Sequence, residues 1–150
     1  MCIWCHETAT AVESVKREYT AINSLTVGGG GIASLACEHA LRSLWYHSTG
    51  ETFPHEKILP HHKTGNHIKK IGIDNYLSKK SQIFILKMDG YAFEEAQYPN
   101  TQAYKDHTKP ISSGRAKDIL NGIEVFLNDI KEMTNNPEVR SKIIEFKNKL

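Results

Sequence analysis

Ile32-Ala-Ser-Leu-Ala-Cys-Glu-His-Ala-Leu-Arg-Ser-Leu-Trp-Tyr-His47 is the stretch on which the fold turns. Ile32, Leu35, Ala36, His39 or Ala40, and Leu44 share one face at spacings of three and four, the mark of an amphipathic helix. Ser48-Thr49-Gly50-Glu51 and Pro54 close it. Upstream, Val12, Val15, Tyr19, Ile22 and Leu25 repeat the same spacing. Gly28-Gly29-Gly30-Gly31 is then expected to stop that first helix and serve as a flexible hinge, because glycine loses the most backbone entropy in a helix. No strand precedes the glycines and no Lys-Ser/Thr follows, so they form neither a phosphate-binding loop nor a dinucleotide fingerprint.

Downstream, residues 51–66 carry Pro54, Pro60 and Gly65 with little periodicity and read as a long loop with at most one helical turn. Ile68 and Ile71 predict a short third helix, broken near Gly72. A fourth carries Leu77, Phe84, Met88 and Tyr91, keeps Lys79, Lys80 and Lys87 on its wet side, and runs to Ala96-Gln97-Tyr98-Pro99-Asn100. After a polar connection to about Ser113, Ala116, Ile119, Leu120, Ile123, Phe126, Leu127, Ile130 and Met133 form the strongest helical stripe in the chain. Asn135-Asn136-Pro137 predicts a stop and a restart, with Asn136 as N-cap and Pro137 in the first helical position. A last helix holds Val139, Ile143, Ile144 and Leu150. Gln82-Ile83-Phe84-Ile85-Leu86 is the one ambiguous apolar run, and its flanks favour helix. The expected fold is all-α, an up-and-down bundle of four to six helices spanning residues 8–150, preceded by a frayed segment over 1–7.

The chain has 150 residues, 39% hydrophobic and 24% charged, which suits one globular domain with a single core. A net charge of +2 is too balanced for a protein that coats nucleic acid through a basic face. No apolar run approaches the ~20 residues of a spanning helix, and Met1-Cys2-Ile3-Trp4 does not open a signal peptide. The expectation is a cytoplasmic protein without a membrane role. Its three cysteines, an odd number, are expected as thiols.

Ala36-Cys37-Glu38-His39-Ala40-Leu41, the Gly50 to Pro54 turn, Lys63-Thr64-Gly65-Asn66-His67 and Gln97-Tyr98-Pro99 follow one another in an order that resembles the HEPN family of small helical bundles. The resemblance covers most of residues 10–134. It departs at Gln97, where many relatives carry arginine. It implies nucleotide binding or RNA cleavage, a two-fold homodimer, and a nucleotidyltransferase-type protein partner, as in toxin–antitoxin or defence pairs. The helix bearing Trp45 and the last long helix are the expected dimer surface.

Ribonuclease members of that family use an Arg-x4–6-His motif, in which His exchanges protons at the RNA 2′-hydroxyl or leaving oxygen and Arg steadies the phosphate. Arg42 and His47 fit that spacing and make the candidate catalytic pair. About half an accidental match is expected in a chain of this composition. The two side chains stand about 140° apart around a regular helix, and the family motif usually lies on a later helix. The structural alternative is a solvated Arg42 and a His47 placed near a helix C-terminus, where a cation is favoured.

His55, His61, His62 and His67 lie among Lys57, Lys63, Lys69 and Lys70, a composition that suits a phosphate or nucleotide pocket. Lys63, His67, Lys69 and Lys70 are the candidate phosphate contacts, against the plainer reading of a polar surface loop. Cys2-Ile3-Trp4-Cys5-His6 spells the haem c attachment pattern, yet nothing directs export. Two thiolates and an imidazole would suit zinc only with a fourth ligand from elsewhere. No metal or cofactor is therefore expected. Three functions remain in contention. The leading one is a nucleotide- or RNA-associated binding module, the alternatives a metal-independent endoribonuclease and a purely structural dimerisation domain.

Overall fold

The computed structural model describes residues 3–58 and 63–150. Its α-helices are α1 (Ile3–Ile22), α2 (Val27–Thr49), α3 (His55–Ile58), α4 (Thr64–Ile71), α5 (Lys79–Tyr91), α6 (Gln102–Lys105), α7 (Ser113–Thr134) and α8 (Pro137–Asn148). Two 3-10 segments, Asp74–Tyr76 and Phe93–Gln97, flank α5. The class is all-α. Thr26 and Pro110 form an isolated bridge, and no strand occurs among the described residues. None of the described helices is long and apolar enough to cross a membrane.

Helix α2 is the axis of the molecule. It packs against α1, α7, α8 and the second 3-10 segment, while α5 lies on α7. Ala33, Ala36, Cys37, Ala40, Leu41, Leu44 and Trp45 of α2 are buried, and small residues let its neighbours approach closely. The α7 stripe supplies Ala116, Ile119, Ile123, Phe126, Ile130 and Met133 to the same core. Trp45, 1% exposed and edge-on to Phe53 and Phe146, belongs to that core. Its side chain is therefore a core contact.

Local signals placed several ends correctly. Gly50 and Gly72 adopt left-handed φ of 74° and 84° as C-caps. Asn136 accepts from the Glu138 N–H, with Pro137 at the helix start. Lys79, Lys80 and Lys87 are exposed.

The glycine run, expected as a helix stop and hinge, is helical. Gly28–Gly31 form the first turn of α2, and α1 ends earlier, at Asn23 with φ 53°. A Cβ on Gly30 would lie 2.5 Å from the Phe93 ring, and one on Gly31 would lie 2.8 Å from the Phe93 carbonyl oxygen. Contact with a distant segment outweighs the entropy cost of helical glycine. This is a packed helix start and no hinge.

The fourth helix is also shorter than expected. It breaks at Ala92, φ 57°, and the chain continues as the 3-10 segment that seats Phe93 under the glycines. Residues 3–7, expected to fray, are the beginning of α1. There Trp4 stacks on His39 at 5.5 Å and the Arg42 guanidinium lies 4.9 Å above its ring.

Candidate functional site

A cleft of about 410 Å³ opens between α2, α4, α5 and the second 3-10 segment. Ser34, Cys37 and Glu38 line it from α2, Lys63, Thr64 and His67 from the start of α4 and the residue before it, and Asp89 from α5. Glu94, Glu95, Gln97 and Tyr98 close it. Three of the four segments that carry the family resemblance thus meet at one cavity.

Asp89 is the unusual group. It shares the face of α5 that buries Ile85 and Met88, and it stands against the first turn of α4. A Cβ on Gly65 would meet its Oδ2, so glycine there makes room for the carboxylate. Burial pushes the Asp89 carboxyl up to about 6, against the backbone N–H groups of Gly65 and Asn66, which favour the charge. Glu94 adds to the rise and Lys63 opposes it. Oδ2 is buried without a hydrogen-bond partner, as is Ser34 Oγ. Burial, then the Asp89 charge, also raises the Cys37 thiol far above its usual range, so this cysteine stays protonated and inert.

Lys63 does not extend toward solvent. Its ammonium donates to the Asp89 carbonyl oxygen at 2.7 Å and pairs with Glu94 at 3.0 Å. His67 is buried and edge-on to Phe53 at 5.3 Å. Lys69 and Lys70 are exposed in the last turn of α4 and do not line the cleft. The structure therefore brings Lys63 and His67 together and leaves Lys69 and Lys70 apart. Four carboxylates line this cleft against the Lys63 ammonium and the Arg42 guanidinium that pairs with Glu38, which leaves its charge balance negative. His61 and His62 lie outside the described residues.

Arg42 and His47 have separate engagements. Arg42 donates to Glu38 at 3.0 Å and covers Trp4, while His47 Nε2 lies 3.3 Å from Cys5 Sγ. Neither lines the acidic cleft. Cys2 lies outside the described residues, and Cys5 turns toward Ser43 and His47 of α2.

The first turn of α2 is also accounted for. Its N–H groups at Val27, Gly28 and Gly29 donate to Lys109 O, His107 O and Thr26 Oγ1. Thr26 Oγ donates in turn to Glu18 at 2.8 Å. The protein's own Glu18 occupies the place where a helix start would otherwise hold an anion.

Sequence reasoning missed Asp89, although one signal was present: a carboxylate four residues after Ile85, on an otherwise apolar face. The chain matches no protein-family model, no curated protein and no solved structure.

Proposed function

We propose that the chain is a HEPN-like binding module without catalysis of its own, and that the acidic cleft holds its ligand. The observation that carries this is Asp89, a half-buried carboxylate whose Oδ2 is buried and unpartnered at a cavity of about 410 Å³, within the usual range for small-molecule sites. Unsatisfied buried polar atoms are costly, and a ligand that donates to them recovers the loss. The ligand matching this lining presents N–H donors or a positive charge. Within the nucleotide-associated reading, that chemistry belongs to the edge of a base. Phosphates would face Glu38, Glu94 and Glu95.

This reading revises the expectation of a phosphate pocket built from Lys63, His67, Lys69 and Lys70. The homodimer and the nucleotidyltransferase-type partner rest on the family resemblance. Ile32 and Leu35 of α2, with Tyr104, form the exposed apolar patch beside the cleft that such a contact would use. The ribonuclease reading is the weaker one, because Arg42 and His47 are each held by other groups.

Calorimetric titration of a nucleoside series, each compared with its mono- and triphosphate, tests the proposal. The expected order is nucleoside above monophosphate above triphosphate, with binding lost in Asp89→Asn. Tightest binding by the triphosphate, weakened by Lys69→Ala/Lys70→Ala and by salt, would restore the phosphate pocket and overturn this one.

A further inference from the structure

On the other side of α2 lies a second cavity, about 550 Å³, bounded by α1, α2 and α7. Ala9, Val12, Ala40, Leu127 and Ile130 give it apolar walls, and Glu13, Lys16 and Lys131 are its charged lining residues. A smaller cavity of about 250 Å³ continues it along α1 and α7, sharing Val12, Lys16, Leu127 and Lys131. Cys5, Ser43 and His47 line the larger cavity as well. Cys5 Sγ sits 3.1 Å from Ser43 Oγ and 3.3 Å from His47 Nε2.

These three side chains form a constellation that the binding module does not need. A thiol within hydrogen-bond reach of an imidazole is the arrangement that activates a sulfur nucleophile. Ser43 holds the sulfur from a second direction, and the ring nitrogen facing it accepts a proton when His47 carries its own on Nδ1. The contrast with Cys37 is instructive. That thiol is almost wholly buried at the wall of the acidic cleft beside a carboxylate, whereas Cys5 opens on an elongated apolar groove.

We infer that Cys5, with His47 as its base, is an acylation site that takes the acyl group of a medium- or long-chain thioester whose tail lies in the groove between α1 and α7. In the step, the Cys5 thiol proton passes to His47 Nε2 and the sulfur attacks the thioester carbonyl. The bond between that carbonyl and the donor sulfur breaks, and the proton leaves with the donor as a free thiol. The product is a thioester on Cys5, formed without oxidant or reductant. Its hydrocarbon chain moves from water onto Ala9, Val12, Leu127 and Ile130, which is the driving force for selection by length.

The test uses the reduced full chain with butanoyl, hexanoyl and octanoyl thioesters of one carrier thiol, read by intact mass and peptide mapping. The adduct is expected on Cys5, with a rate that rises about tenfold for each pair of methylenes added. His47→Ala is expected to slow it about a hundredfold, with His47→Gln as a second variant and circular dichroism to verify the fold. Ala9→Trp, which fills an exposed part of the groove, should abolish the dependence on length while iodoacetamide still labels Cys5. Equal rates for all three chains, an adduct that maps to another residue, or an unchanged rate in folded His47→Ala and His47→Gln would each overturn the inference.

Discussion

Replacing Asp89 by asparagine should stabilise the free protein and disable it. The Asp89 carboxyl titrates near 6 against an ordinary 3.8. Its native state therefore holds the proton more tightly than the unfolded chain does. Stability from this group is greatest below about pH 4, falls as pH rises through about 6, and is level beyond. At 1.36 kcal/mol per pH unit the gap sets a ceiling of about 3 kcal/mol. The carboxylate keeps some contact with water, and screening lowers the effect to about 1–2 kcal/mol. Asparagine keeps an acceptor for the α4 N–H groups and carries no charge. Asp89→Asn should thus gain about 1–2 kcal/mol at pH 7, about 3–6 °C in Tm for a chain of this size, and nothing at pH 4. Urea unfolding of both proteins at pH 4, 5, 6 and 7 measures the difference directly. A variant less stable than the parent at pH 7, or a difference that ignores pH, would refute the reasoning. A residue kept at such a cost to stability is the pattern expected of a binding group.

Four further outcomes follow from the packing and the cleft lining. Gly30→Ala should destabilise by about 1–2 kcal/mol because its Cβ would overlap the Phe93 ring, and the gain in helix propensity is smaller than the overpacking. Gly90→Ala, with nothing within 4 Å, should stabilise α5 by about 0.5–1 kcal/mol; paired thermal melts test both signs. Trp45→Ala should cost about 3–5 kcal/mol in chemical denaturation, as for any large core aromatic, and leave self-association measured by light scattering unaltered wherever the fold survives. Lys69→Ala/Lys70→Ala should leave nucleoside affinity in calorimetry within about twofold, since neither side chain lines the cleft.

The parts of the fold legible in the sequence are those fixed by neighbours in the chain. The α7 stripe, the Asn136–Pro137 restart and the Gly50 and Gly72 stops all depend on contacts within a few residues. The glycine run was misread because its reason, the Phe93 ring, stands more than sixty positions away. The break at Ala92 has the same origin. Alanine is a good helix former, and only the seating of Phe93 under α2 explains a left-handed residue there. In the cleft, Lys63 and His67 were visible as a basic cluster. The acids that reverse its sign come from three other elements, so local composition pointed to phosphate while the assembled field points away from it.

The two cavities share one wall. On α2, Ser34, Cys37 and Glu38 lie within a narrow arc, and Ala40, Ser43 and His47 fall about 140° around from it at 100° per residue. That division is why a single helix lines an acidic cleft on one side and an apolar groove on the other. It also bears on Arg42 and His47. His47 belongs to the groove face and engages Cys5, whereas Arg42 is held between Glu38 and the Trp4 ring. Cleavage of a phosphodiester by this pair requires both groups at one phosphate. In this chain that would mean breaking the Arg42–Glu38 pair and the His47–Cys5 contact together. The acidic cleft, by contrast, needs no rearrangement to receive a donor.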